Sequence, residues 1–89
     1  MVNIYFLDSS ALIKRYVVEI GSPWIKTLTD SATGNSLLLV RITWVEVLSA
    51  FARRQREGSI NAAEVAALIQ KFRSEFNNRY RVINSKIYY

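Results

Sequence analysis

The chain has 89 residues, a formal net charge of +5 and 51% hydrophobic residues. This length is typical of one small domain, so we expect residues 1–89 to form a single unit that is marginally stable unless it is well packed or oligomeric. Cysteine and histidine are both absent, which excludes disulfides, thiolate or imidazole metal ligands and a Ser-His-Asp triad. The Asp and Glu side chains suit hard cations such as Mg²⁺ or Mn²⁺.

Hydropathy and charge indicate the compartment and the class of partner. No apolar run approaches the ~20 residues of a membrane-spanning helix. The first three residues lack the basic start of a signal peptide. We therefore expect a soluble, cytoplasmic protein that does not bind membranes. The positive net charge favours an anionic partner, with nucleic acid first.

The first third of the chain predicts one strand and two helices. Residues 2–7 are apolar on both faces, as in a central parallel strand. One of residues 8–10 caps a helix that runs to about Tyr16 or Val18. Ser22 and Pro23 mark the start of a second helix, because proline is favoured at the first helical position. That helix is predicted to end near residues 32–35.

The rest of the chain predicts two strands and two longer helices. Residues 36–40 form a short apolar run that follows Gly34, which favours a second strand. Apolar residues at helical spacing predict one helix from residue 41 or 42 to 57 and another over 61–78, and residues 79–84 predict a third strand. Strands joined by helical crossovers imply an α/β fold with a parallel sheet and right-handed connections, in the order β-α-α-β-α-α-β.

Two carboxylates directly follow predicted strands. Asp8 follows the first strand, and Glu46 lies in the first turn of the helix after the second. Because the carboxyl ends of parallel strands meet at one edge of a sheet, we expect both acids at the same edge. With Ser10 beside them, they can hold one Mg²⁺ through oxygen ligands and water.

Each of these residues also has a simpler interpretation. Asp8 suits a helix N-cap, and Ser10 is equally suited to a capping hydroxyl. Glu46 fits a capping box that begins at Thr43. A capping glutamate, however, needs no second acid at the neighbouring strand end, so we favour the metal site for both carboxylates.

The other notable side chains have structural alternatives as well. A basic cluster on the 42–57 helix is interpreted as a solvated face or as a contact for RNA phosphates, and Lys14 and Arg15 are ambiguous in the same way. Four aromatic residues at helical spacing are interpreted as core rather than as a base-stacking platform. The basic cluster is Arg53, Arg54 and Arg56, and the aromatic set is Trp44, Phe51, Phe72 and Phe76.

Two segments resemble a known family. The sequence LDSSALIK at residues 7–14 and the sequence ITWVEVLSA at 42–50 resemble the first two motifs of PIN domains, and the closest group is the VapC-type toxins of bacterial toxin–antitoxin pairs. The sequences GSPW at 21–24 and RYRV at 79–82 are similar to this family too. The resemblance therefore covers nearly the whole chain.

The resemblance implies a PIN-like three-layer fold, in which a short parallel sheet is flanked by helices. It also implies a Mg²⁺- or Mn²⁺-dependent endoribonuclease that acts on RNA and is inhibited by a small antitoxin protein. Asp8 and Glu46 match two metal-binding acids of the family. Ser10 matches the hydroxyl that follows the first acid, and these three residues are the predicted catalytic set.

The chain also departs from the family pattern. The family's later catalytic aspartates lie beyond the third strand, whereas no Asp follows Asp30 in this chain. We therefore expect the N-terminal part of a PIN domain, with a weak or inactive site. The first strand is then expected to be an open sheet edge that forms a homodimer or pairs with a missing C-terminal segment. The alternative function is a non-catalytic remnant that binds RNA or an antitoxin, the latter near Tyr16, Val17 and the Trp24 helix.

Overall fold

The computed structural model describes residues 3–19 and 21–83, which form three strands and four α-helices. The elements in chain order are β1 (Ile4–Phe6), α1 (Ser9–Tyr16), α2 (Ser22–Thr29), a 3₁₀ turn (Ser31–Thr33), β2 (Ser36–Val40), α3 (Thr43–Arg56), α4 (Ala62–Asn78) and β3 (Tyr80–Ile83). The predicted order of strands and helices is confirmed. The predicted strand residues Val2 and Asn84 lie outside the described residues.

Local capping explains where the two best-defined helices begin. Asp8 caps α1 by accepting a hydrogen bond from the Ala11 amide. The Asn61 side chain accepts from the Glu64 amide, and the Glu64 carboxylate accepts from the Asn61 amide, which completes a capping box at the start of α4. Both arrangements satisfy amides that a helix end otherwise leaves unpaired.

The second helix ends earlier than the sequence predicts. It stops at Thr29, and Asp30 then caps the 3₁₀ turn by accepting from the Ala32 amide at 2.8 Å. Gly34 ends this turn with a φ of +71°, a conformation that residues with a side chain rarely adopt. The hydrogen bond from the Ala32 amide to the Asp30 side chain thus forms a turn where the sequence predicted further helix.

The three strands are parallel and lie in the order β1-β2-β3. The first strand pairs only with β2, with Phe6 beside Leu38, so within the described residues β1 is an edge strand. The prediction that this strand is buried on both faces is wrong, because Ile4 and Phe6 are 65% and 59% exposed. The expectation that the first strand forms an edge of the sheet agrees with this topology.

The helices cover one face of the sheet. Right-handed crossovers that move in one direction across a sheet place all their helices on the same side. On that side lie the buried sheet residues Leu37, Leu39 and Tyr80, while Ile83 is exposed on the other side with Ile4 and Phe6. In the described part of the chain the fold is therefore α/β with two layers, and the expected third layer is not present there.

Aromatic rings form the centre of the core between the sheet and the helices. Phe51 of α3 and Phe72 of α4 are fully buried. Trp44 stacks on Phe72 at 5.0 Å between ring centroids, and Phe76 packs edge-on against Phe72 at 5.8 Å. The interpretation as core is confirmed for Phe51 and Phe72, whereas Trp44 and Phe76 are partly buried and pack against the core.

A polar network links α1 to the other elements. Arg15 donates two hydrogen bonds to the Glu75 carboxylate of α4 and one to the Thr29 hydroxyl of α2. The hydroxyls of Tyr16 and Tyr80 lie 2.5 Å apart and join α1 to β3. Burial is the main cause that raises the pKa of Tyr16 and of Tyr80, so both hydroxyls stay protonated. Arg15 therefore has a structural role rather than an RNA-facing one.

None of the helices in the described residues is long and apolar enough to cross a membrane.

Candidate functional site

Asp8 uses one of its two carboxylate oxygens to cap α1. Its Oδ1 accepts from the Ala11 amide at 2.8 Å and from the Ser10 hydroxyl at 3.0 Å. These hydrogen bonds, first from Ala11 and then from Ser10, hold the pKa of the exposed Asp8 carboxyl below its usual value, with help from the charge of Lys14. The capping interpretation of Asp8 is thus confirmed. Within the described residues Oδ2 has no partner, so the cap leaves one ionised oxygen available.

Ser10 acts on Asp8 rather than on a helix amide. Its hydroxyl donates to Asp8 Oδ1, which fixes the rotation of the carboxylate. The interpretation of Ser10 as a capping hydroxyl is wrong, because Asp8 supplies the cap of α1. Ser10 therefore contacts the Asp8 carboxylate directly.

Glu46 is an exposed acid in the first turns of α3. The helix begins at Thr43, its N-cap is Ile42, and no side chain caps it. The Glu46 amide bonds to the Ile42 carbonyl at 3.2 Å as part of the helix. The capping-box interpretation of Glu46 is therefore wrong. Among the described residues the Glu46 carboxylate has no hydrogen-bond partner, and it is available to a ligand.

The two acids follow adjacent strands at one edge of the sheet. The Leu7 amide donates to the Leu38 carbonyl at 2.9 Å, which extends the pairing of β1 and β2 to the residue before Asp8. Asp8 starts α1, Glu46 lies near the start of α3, and these two helices contact each other. Asp8 and Glu46 are therefore both near the N-termini of helices that follow adjacent strands, where the partial positive charge of a helix N-terminus favours anionic groups.

This donor set suits a mostly hydrated Mg²⁺ or Mn²⁺. Within the described residues there is no group of three or more acids that can hold a metal ion. Magnesium, however, often binds through one or two carboxylates and keeps several waters or takes up substrate phosphates. Asp8 Oδ2 and the Glu46 carboxylate are donors of this kind, and neither is used by another described side chain.

The basic cluster of α3 is divided between two roles. Arg54 forms an ion pair with Glu19 and is only partly exposed, so it links α3 to the segment after α1. Arg53 and Arg56 are exposed, in agreement with a solvated face that can also meet phosphates. Sequence reasoning missed the Arg54 pair because its partner is 35 positions away along the chain.

A groove of about 580 Å³ lies between the end of α1, the segment after α3, and α4. Tyr16, Val17 and Leu68 are part of its apolar lining, and Lys71 and Glu64 are at its rim. Two of the three positions expected near an antitoxin are thus in one groove. Trp24 is not in its described lining, and is 67% exposed on α2.

Comparisons with protein-family models, with curated proteins and with solved structures find no match to this chain.

Proposed function

We propose that this protein is a metal-dependent endoribonuclease of the PIN and VapC-toxin type, with weak activity from the residues of this chain alone. The observation that carries the proposal is the pair of available carboxylates, Asp8 and Glu46, after adjacent parallel strands. The basic net charge and the motifs around both acids support the same function.

Each residue has a defined role in the proposed site. Mg²⁺ or Mn²⁺, when bound, supplies an activated water and offsets negative charge on the phosphate. Asp8 and Glu46 bind the ion directly or through water. Ser10 keeps the Asp8 carboxylate in one orientation through its 3.0 Å hydrogen bond. The exposed Arg53 and Arg56 attract the RNA backbone at long range.

The test is an RNase assay with single-stranded RNA and Mg²⁺ or Mn²⁺. We expect slow, metal-dependent cleavage that falls by about 100-fold or more in Asp8→Asn and in Glu46→Gln, since loss of a catalytic ligand typically removes several kcal/mol of transition-state stabilisation. Asparagine is as good an N-cap as aspartate, so Asp8→Asn removes the charge of this side chain and leaves α1 capped.

Glu57→Gln is the matched control, because Glu57 is an exposed acid at the other end of α3. Cleavage that survives both Asp8→Asn and Glu46→Gln, or that needs no divalent ion, contradicts the proposed site. Activity lost equally in Glu57→Gln also contradicts it.

The second candidate is a non-catalytic module that binds RNA or an antitoxin. The groove of Tyr16, Val17 and Leu68 favours it, as does the open edge at β1, which can pair with a second copy to form a homodimer. In the same assay this candidate predicts metal-independent RNA binding with no cleavage. Light scattering on these samples gives a dimer mass if the β1 edge pairs.

A further inference from the structure

A second pocket, of about 680 Å³, lies between the start of α3 and the last turns of α4. Its lining includes Arg41, Trp44, Arg73 and Phe76. The volume lies within the range of roughly 300–1,000 Å³ that is usual for small-ligand sites. The pocket shares no lining residue with the groove beside Tyr16.

The charge of the pocket favours an anion. Arg73 is on the lining, and among the described lining residues there is no acid. Arg73 is an exposed residue of α4, and its guanidinium carries five donors in a planar fork that matches phosphate oxygens. Asn77 lies one turn further along α4 and adds an amide at the rim.

The pocket also has an aromatic wall. One face of the Trp44 indole is stacked on buried Phe72, with 18° between the ring planes. The surface that Trp44 adds to the pocket is therefore its other face or its edge. Phe76 lies beside it at 5.1 Å between centroids. Exposed Ile42 and Val45 extend this apolar wall, so a planar ring can stack here out of water.

The position of the pocket connects it to the two acids. Arg41 and Ile42 directly follow β2, at the same edge of the sheet at which Asp8 follows β1. Val45 of the lining is the chain neighbour of Glu46. The pocket and Glu46 are therefore at the same end of α3.

We propose that this pocket binds one nucleotide of single-stranded RNA, with the base on Trp44 and Phe76 and the phosphate on Arg73. Stacking on an aromatic residue contributes about 1–3 kcal/mol per base and accepts any base, so the pocket adds affinity without strong sequence preference. The choice of RNA among planar anions rests on the proposed ribonuclease function, whereas the pocket itself is defined by its aromatic rings and Arg73.

Trp44 can report binding directly. In a Trp24→Phe background it is the one remaining tryptophan, because the chain has two. Its fluorescence is titrated with AMP, UMP, adenosine and inorganic phosphate, in EDTA and without divalent metal. We expect saturable quenching by AMP and UMP, affinity about tenfold weaker for adenosine, which lacks the phosphate, and no quenching by phosphate alone.

The Arg73→Gln variant provides the specific test, and Lys26→Gln is its matched control. Both remove one positive charge from an exposed helix position, and Lys26, on α2, is not among the lining residues of the pocket. Arg73→Gln is expected to weaken AMP binding about tenfold, and Lys26→Gln less than about twofold, because screening removes most of a distant charge effect.

The outcomes separate this proposal from the ribonuclease proposal. Saturable AMP binding that depends on Arg73 supports the subsite whether or not the chain cleaves RNA. No quenching by either nucleotide, equal affinity for AMP and adenosine, or equal weakening by Arg73→Gln and Lys26→Gln overturns the subsite, even if metal-dependent cleavage is observed.

Discussion

Phe72→Ala is expected to remove most of the protein's free energy of unfolding at 25 °C. Phe72 is fully buried and lies within 6.5 Å, between ring centroids, of five other aromatic rings, which belong to α1, α3, α4 and β3. Truncation of a buried phenylalanine typically costs about 3–5 kcal/mol. A domain of this size has a total free energy of unfolding near the low end of the usual range of about 5–15 kcal/mol.

Urea unfolding followed by circular dichroism measures this loss. Phe6→Ala is the matched control, because Phe6 is 59% exposed on the uncovered face of the sheet, and its truncation is expected to cost less than about 1 kcal/mol. Equal losses of stability in the two variants would show that the aromatic cluster around Phe72 is not the centre of the core.

Glu75→Gln is expected to lower the free energy of unfolding by about 2–3 kcal/mol at pH 7. The Arg15 and Glu75 side chains are only 16% and 18% exposed. Glutamine keeps the shape of the side chain but leaves the Arg15 guanidinium partly buried without a counter-charge. Thr29 remains its other partner, so the variant is weakened but still folds.

The same variant is expected to change how stability depends on pH. Burial raises the pKa of Glu75, but the hydrogen bonds from Arg15 and Tyr16 outweigh it and hold the pKa below the usual 4.5. A carboxyl whose pKa is lowered by folding contributes its full stabilisation above the unfolded pKa, and loses it as pH falls through the folded pKa. The wild-type protein therefore loses stability below about pH 4.5, and Glu75→Gln loses less over this range.

Urea midpoints at pH 7, 5 and 3 give this comparison. Asp8 has a lowered pKa of the same sign, so some acid sensitivity remains in Glu75→Gln. The control is Glu57→Gln, which is expected to keep the wild-type pH dependence. A Glu75→Gln curve parallel to the wild-type curve from pH 7 to pH 3 would contradict the role of the Arg15 pair.

Local patterns were sufficient to predict most of the fold. Helical spacing and the Asn61–Glu64 capping box located α4, and the short apolar run after Gly34 located β2. These signals depend on neighbours within a few positions along the chain. These local signals could not predict whether β1 is an edge strand or a central strand. A strand that is apolar on both faces can occupy either position.

The places of Asp8 and Glu46 at the starts of two helices were predictable, but their hydrogen bonding was not. The change from an apolar strand to a carboxylate marked Asp8, and the same topology marked Glu46. That Asp8 both caps α1 and leaves an oxygen available depends on which oxygen accepts the bonds from Ala11 and Ser10, which no sequence pattern determines. The rings of the second pocket and Arg73 come from α3 and α4, and only the packing of these helices brings Arg73 close to Trp44.

The most direct test of the account is Mn²⁺ titration of the ¹⁵N-labelled protein, followed by paramagnetic broadening of amide signals. A shared site predicts that signals near Asp8 and near Glu46 broaden together, and that Asp8→Asn removes the broadening at both places. If Asp8→Asn leaves the broadening near Glu46 unchanged, the two carboxylates do not share an ion, and the metal-dependent function proposed for them is contradicted.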